Sequence, residues 1–232
     1  MNKKILISLV ILCFISALVI GCSIKSNVTS TREYGFQPPI DKLYWGMPLD
    51  KIEKLLKIKS GVDGVVYNYD KPVTTIVLKD KIEVFGYKAT VSLKVSDKPN
   101  EEWYPYKSSY LDSIILTYED IDGQKIKDNI NEKYNSTGND WVDTLKNKCT
   151  IWLSDDKIKD INPSIKEELQ NYWSIIDEHE HSSAKNYNSL HSIKKDDDES
   201  INNIVLVCSD KGAVVTFNGD TAYQINQIIA NK

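Results

Sequence analysis

Apolar residues along the chain follow two spacings. Between positions 48 and 58 they lie three and four residues apart, with lysines and glutamates on the remaining positions, which is the spacing of an amphipathic helix. Between Ala89 and Val95 they occupy every second position, which predicts a strand with one buried face. The two patterns together predict a domain that contains both helices and strands.

The same spacings predict the remaining elements. Helical spacing predicts three further helices. One covers residues 124–134, one begins at Asn162-Pro163 as cap and first-turn proline, and one covers residues 222–230. Strand character covers residues 65–69, 74–78, 82–85, 110–118, 150–153, 204–207 and 213–217. The strand connections are too short for helical crossovers. We therefore predict an α+β fold with a mostly antiparallel sheet and helices packed on one face, and the element order suggests a duplicated helix-plus-strands unit.

The amino-terminal region differs in character from this domain. Lys3 and Lys4 precede a charge-free run to Gly21, which is typical of a secretion signal, and the run is short for a helix that must span a bilayer with about 20 apolar residues. Residues 22–39 are polar and close with Pro38-Pro39, which predicts a tether. Residues 40–232 then form a single α+β domain, in which the polar stretch 178–203 predicts a mobile insertion.

The end of the signal, Val19-Ile20-Gly21-Cys22, resembles the lipobox of bacterial lipoproteins. The resemblance implies cleavage between Gly21 and Cys22, a diacylglyceryl group on the Cys22 thiol, and acylation of the new amine, for example with palmitate. Two or three acyl chains at about 0.8 kcal/mol per buried methylene hold a protein on a membrane stably. We expect a lipid-anchored protein on the extracytoplasmic face of the cell membrane; the alternative is an uncleaved amino-terminal anchor.

A second resemblance begins at Trp45-Gly46-Met47, directly before the first predicted helix. Uncharacterised Gram-positive lipoproteins share this opening, and residues 40–153 follow their pattern, although Pro48 replaces the usual Ser or Thr cap. A Gly-Met helix start followed by antiparallel strands is also distantly similar to β-lactamase inhibitor protein and to small outer-membrane assembly lipoproteins. Those proteins pack helices on one face of a sheet and act by binding other proteins; the resemblance implies the fold, and because fold analogy does not carry function across, no partner is transferred from them.

Charge and composition exclude several classes of partner. Removal of residues 1–21 leaves 29 − 2 = 27 basic and 33 acidic residues, a net charge of −6. Nucleic-acid-binding proteins carry a basic stripe and peripheral membrane proteins a polybasic segment, and the chain shows neither. We predict no nucleic-acid partner and no cofactor beyond the covalent lipid on Cys22.

Two groups of residues could carry further chemistry. Cys149 and Cys208 remain after Cys13 leaves with the signal and Cys22 takes the lipid; an extracytoplasmic setting permits a disulfide between them, and the alternative is two buried thiols. The histidines are weak candidates for metal ligands, and a solvated loop is the interpretation that we adopt, so we predict no metal site. The histidines are His179, His181 and His191.

An aromatic segment is the strongest surface candidate. Trp103, Tyr104 and Tyr106, with Tyr110 nearby, could supply rigid contacts to a protein partner, or could instead fold onto the sheet. Catalytic residues remain unknown, because the chain has no nucleophile elbow, phosphate loop or zinc-protease motif. We predict a membrane-anchored protein-binding or accessory module rather than an enzyme; the alternative is a solute-binding or hydrolytic surface lipoprotein that uses carboxylates.

Overall fold

The computed structural model describes residues 33–59, 66–70, 73–96, 109–183 and 196–230. All of its helices and strands belong to one compact unit that begins at Tyr34. The predicted signal and the predicted lipidation site, Cys22, lie outside the described residues. None of the described helices combines the length and the apolar character that a membrane span requires.

The described elements are four α-helices, a single 3-10 turn and nine strands. The helices are α1 (Leu49–Leu56), α2 (Gly123–Tyr134), α3 (Pro163–Ser183) and α4 (Asp220–Ala230), and the 3-10 turn covers Ile158–Asp160. The strands are β1 (Val66–Asp70), β2 (Val73–Val77), β3 (Ile82–Val84), β4 (Tyr87–Ser96), β5 (Tyr110–Glu119), β6 (Asn139–Val142), β7 (Lys148–Leu153), β8 (Asn203–Ser209) and β9 (Gly212–Asn218).

The strands form one sheet in the order β1-β2-β4-β5-β9-β8-β7-β6, and the short β3 pairs with β4. Every described strand pair is antiparallel. The predicted α+β class and the predicted antiparallel sheet are therefore confirmed.

The order of the strands repeats a single unit. The first half of the chain runs α1-β1-β2-β4-β5 and the second runs α2-β6-β7-β8-β9, with α3 inserted after β7. Each half is a four-stranded meander, and the halves join where their last strands, β5 and β9, pair. The duplicated helix-plus-strands arrangement is therefore present in the topology.

One face of the sheet forms the core. A row of directly opposed side chains crosses six strands and is excluded from solvent: Ile76, Leu93, Ile114, Phe217, Ile204 and Trp152. All four helices add buried residues to the same cluster, including Ile52, Ile126, Leu169 and Ile225. The alternation of the strands thus places the helices on one face, as predicted.

Local chemistry fixes where the helices begin. The Asp122 carboxylate accepts a hydrogen bond from the Gln124 amide at 2.9 Å and caps α2. The Asn162 side chain accepts one from the Ser164 amide at 3.0 Å and Pro163 is the first residue of α3, so the predicted cap and first-turn proline are confirmed. Pro48 is itself the cap of α1 and makes no side-chain hydrogen bond.

The predicted tether ends before Pro39. Tyr34 is buried, and its hydroxyl accepts a hydrogen bond from the Asn162 amide at 3.2 Å. The Phe36 amide donates to Asn202 Oδ1 at 2.8 Å, and the Phe36 carbonyl accepts from Asn202 Nδ2 at 2.7 Å and from Trp45 Nε1 at 2.6 Å. The boundary at residues 39 and 40 is therefore wrong, because two aromatic residues inside a polar stretch fix residues 34–36 to the domain. We call these contacts the amino-terminal latch.

The predicted mobile insertion at 178–203 is also wrong at both of its ends. Residues 178–183 continue α3. Ile201 and Asn202 are fully buried, and the acidic run before them is held by ion pairs of Asp197 with Lys166 and of Asp198 with Lys159, both at 2.6 Å. Residues 184–195 lie outside the described part of the chain.

The amino-terminal latch gives a first prediction. Asn202 is 1% exposed, and its replacement by alanine leaves the Phe36 amide without its acceptor. We expect Asn202→Ala to lower the free energy of unfolding by about 2 kcal/mol, measured by urea denaturation. Asn203→Ala is the matched control, since it removes only the half-buried bond to Asn218. Equal stability of the two variants would contradict the latch.

Candidate interaction surface

The sheet face opposite the helices is not covered by any described element. Strand alternation places three cross-strand rows on it, which we call the open face. The central row is Val77, Ser92, Ile115, Thr216, Val205, Ile151 and Asn139; the flanking rows are Thr90, Thr117, Val214, Val207, Cys149 and Trp141, and Thr75, Lys94, Ser113, Asn218, Asn203 and Leu153. Apart from Cys149, which is 2% exposed, the apolar members of these rows are half-buried or exposed.

The open face is almost free of charge. Lys94 is the one charged residue in its three rows, whereas charged residues make up 27% of the whole chain. The solvated face of an antiparallel sheet normally alternates polar residues out with apolar residues in; here the outward positions are mostly Thr, Ser, Val and Ile. Depletion of charge is characteristic of the centre of a protein interface.

The dimensions of the open face suit a protein contact. Seven neighbouring strands at about 4.8 Å spacing extend about 29 Å, and five residues along each strand extend about 17 Å. The product is about 500 Å² before side-chain relief is counted, roughly three fifths of the 800 Å² that each partner buries in a standard complex. The surface is therefore of the size that a small protein contact occupies.

A second exposed feature is the hairpin that joins β6 and β7. Its apolar ridge consists of Trp141, Val142 and Leu145, which are 41%, 63% and 80% exposed. The Asp143 carboxylate accepts hydrogen bonds from the Leu145 amide at 2.9 Å, the Asn147 amide at 2.8 Å and Asn147 Nδ2 at 2.9 Å. The turn is therefore fixed internally while it holds Leu145 in solvent.

These hydrogen bonds determine the charge state of Asp143. The side-chain bond from Asn147 is the largest of the influences that hold the pKa of Asp143 below its usual value, and the backbone bonds from Asn147 and Leu145 add to it against the opposing effect of desolvation. Asp143 therefore remains an ionised acceptor in the turn at neutral pH.

A groove lies between the start of α2 and the β6–β7 hairpin. Lys127 of α2 bonds both oxygens of Asp140 at 2.7 Å, and Thr150 Oγ1 donates to the same carboxylate at 2.7 Å. The bond from Lys127, and after it the bond from Thr150, lowers the pKa of Asp140. Asp140 is therefore held as a carboxylate and is unsuited to act as a general acid.

The two cysteines lie on neighbouring strands but form no disulfide. Cys208 is directly opposite Lys148, so Cys149, the next residue, points to the opposite face of the sheet. Both thiols are free. Desolvation is the largest influence on each thiol and raises the pKa of both. The alternative of two thiols that are wholly or partly buried describes the structure, and the disulfide does not.

Cys208 has a structural role beneath α2. A Cβ atom placed on Gly123 would lie 2.2 Å from Cys208 Sγ, so the helix approaches the sheet closely only because its first residue is glycine. The thiol acts as a small apolar side chain at this contact.

The aromatic candidates separate in the structure. Tyr110 is 3% exposed and stacks on Tyr223 of α4 with ring centroids 4.5 Å apart, so the prediction that it contacts a partner is wrong. The terminal helix α4 encloses the ring of Tyr110. Trp103, Tyr104 and Tyr106 lie outside the described residues.

The histidine candidates gain no support as a cluster. His179 and His181 fall within α3, where residues two apart point about 200° from each other around the helix. Their side chains and the whole of His191 lie outside the described residues. Within the described ranges, no three metal-ligating side chains come together.

Sequence reasoning missed β6 and the open face as a unit. β6 has the sequence Asn-Asp-Trp-Val, too short and too polar for its alternation to be visible. The open face had only a partial signal, because the outward residues of β4 are Thr90 and Ser92 flanked by Lys88 and Lys94. Its continuity depends on which strands pair, and that information is not local.

The Asp143 turn gives a prediction on pH dependence. Because the folded pKa lies below the usual 3.8, the turn has its full stabilisation above that value and loses it as pH falls through the lower, folded pKa. We expect the NMR signals of the Leu145 and Asn147 amides to shift together with a midpoint below 3.8.

The variant Asp143→Asn is the control for this titration. It retains one acceptor oxygen but has no proton to gain in this range, so both amide signals should stay constant. A midpoint at or above 3.8 in the native chain would contradict the turn geometry.

The chain was compared with known proteins in three ways. No protein-family model, no curated protein and no solved structure matches it.

Proposed function

We propose that the chain is a membrane-anchored extracytoplasmic lipoprotein whose domain is a protein-binding or accessory module, and that it binds its partner through the open face. The observation that carries the proposal is the single charge, Lys94, in three rows of outward side chains. A surface that had only to remain solvated would carry many more charges.

The energetics of this surface favour a protein partner. Burial of a charge without a partner is costly. A protein that covered the open face would desolvate only one charged side chain, that of Lys94. Its hydroxyl groups hydrogen-bond to water when the face is free and to a partner when it is covered. This mixture of apolar and small polar groups is typical of complexes between independently stable proteins.

The anchor in this proposal is supported by the amino-terminal pattern. The lipobox at Val19–Cys22 predicts lipid on Cys22. The first fixed residues of the domain, Tyr34 and Phe36, are held by residues far along the chain, the backbone amide of Asn162 and the side chain of Asn202. A tether that ends at the amino-terminal latch is attached directly to the folded core of the domain, so that a force on the anchor acts on the core.

Site-specific cross-linking tests the open face. A photoreactive amino acid at Thr216, in the centre of the face, should give one discrete protein adduct in intact cells, and the same group at Lys125, on the exposed side of α2, should not. We expect Ile115→Glu to abolish the adduct at Thr216, because a carboxylate then enters an uncharged interface, without loss of helical and strand signal in circular dichroism.

Two results would contradict the proposal. One is an adduct that survives Ile115→Glu. The other is a small molecule that copurifies in equimolar amount in native mass spectrometry, which would support the solute-binding or hydrolytic alternative instead.

The anchor is tested separately. Cys22→Ala should abolish incorporation of a labelled fatty acid and leave an uncleaved precursor, because the thiol is the acceptor that processing requires. Cys149→Ala is the control and should be labelled and cleaved normally. Normal processing of the Cys22 variant would refute the lipobox interpretation.

A further inference from the structure

Among the described residues, the outermost strand of the sheet, β6, has one edge without a partner strand. It pairs with β7 on one side and is the terminal strand of the described sheet. We propose that this edge accepts an extended, acidic peptide segment of a partner protein as an additional antiparallel or parallel strand. The proposal goes beyond the function above, because it concerns the edge of the sheet and an extended segment rather than the open face and a folded surface.

The exposure of β6 fits such a role. All four of its residues are exposed. Proteins usually place charged side chains on an edge strand, because these prevent the strand from pairing with another chain. The one charged residue of β6, Asp140, is bound by Lys127 and Thr150, so the rest of the strand presents Trp141 and Val142 unguarded.

The adjoining turn is built to hold its apolar residue in solvent. Three hydrogen bonds to the Asp143 carboxylate fix the turn, and the Lys146 amide closes it on the Asp143 carbonyl at 3.0 Å. Leu145 is nonetheless 80% exposed. A rigid apolar contact loses little conformational entropy on binding, which strengthens association.

The charges beside the edge select an acidic partner. Lys146 and Lys148 are exposed, and neither forms an ion pair within the described part of the chain. Asp140 is paired with Lys127, whereas Asp143 is bonded only by neutral turn amides and keeps its negative charge. Lys146 and Lys148 together with Asp143 leave one net positive charge next to the apolar ridge, which complements an acidic, apolar segment.

The geometry of strand addition defines the pattern of the partner. Main-chain hydrogen bonds to β6 supply affinity, and alternate side chains supply specificity. Because Trp141 lies on the open face and Val142 on the other, a paired segment places every second side chain against each of them. We infer a segment with alternating apolar and acidic residues.

The test uses synthetic peptides and the full mature chain. The probe is a fluorescein-labelled octapeptide of alternating valine and glutamate, and its control replaces glutamate with lysine. Fluorescence anisotropy should show saturable binding of the glutamate peptide and at least about tenfold weaker binding of the lysine peptide. Two further peptides carry N-methyl groups on the odd-numbered or on the even-numbered amides. One of them should not bind and the other should bind normally, because only one of the two sets of amides faces β6.

Variants assign the binding to the edge. Leu145→Ser should weaken the glutamate peptide at least about tenfold without unfolding the protein, because the side chain is already exposed. The double variant Lys146→Glu, Lys148→Glu should reverse the preference between the two peptides. Ile115→Glu on the open face should leave peptide binding unchanged, so failure of this proposal and failure of the open-face proposal give different results.

Three outcomes would overturn the inference. The first is equal affinity for the glutamate and lysine peptides. The second is binding that ignores N-methylation in both registers. The third is a dimer in sedimentation that Leu145→Ser dissociates, which would show that a second copy of the chain occupies the edge.

Discussion

The pairing of β5 with β9 is the contact on which the rest of the structure depends, because it is the seam between the two four-stranded halves. Glycines at both ends of β9 permit it. A Cβ atom on Gly212, at φ +145°, would lie 2.0 Å from the Tyr118 carbonyl oxygen, and one on Gly219 would lie 2.6 Å from the Asp112 carbonyl oxygen. Any side chain at either position would force β9 away from β5. The core row then continues without interruption from Leu93 to Ile204.

The seam creates both candidate surfaces. When two meanders join through their last strands, their helices can cover one face together, and the opposite face becomes a single continuous surface. Their first strands then become the edges of the sheet, which is why β6 is terminal. The open face and the free edge of β6 are thus two consequences of the same topology rather than separate additions, although one offers uncharged side chains and the other offers backbone groups beside lysines.

Most of the elements could be predicted from the sequence because periodicity is a local property. The period-two alternation of β4 and the three-and-four spacing of α1 arise from neighbouring residues alone. What the sequence leaves open or gets wrong concerns contacts between distant segments. Phe36 belongs to the domain because Asn202 binds its backbone, and Cys149 and Cys208 remain apart because their strands pair one residue out of step. Neither fact has a signature near the residue concerned.

Charged residues are distributed unevenly over the surface of the domain. The chain places paired charges where they stabilise the fold, as in Lys127 with Asp140 and Lys159 with Asp198, and leaves three rows of the sheet nearly neutral. A neutral sheet beside an unguarded edge carries a risk of self-association. The hydroxyl side chains of the open face reduce this risk by keeping it hydrated, whereas the rigid turn at Asp143 keeps Leu145 exposed. Leu145 is 80% exposed and does not belong to the hydrophobic core of the described fold. Three hydrogen bonds to Asp143 hold the backbone of this turn, and the apolar side chain that the turn exposes is the observation on which the proposed edge contact rests.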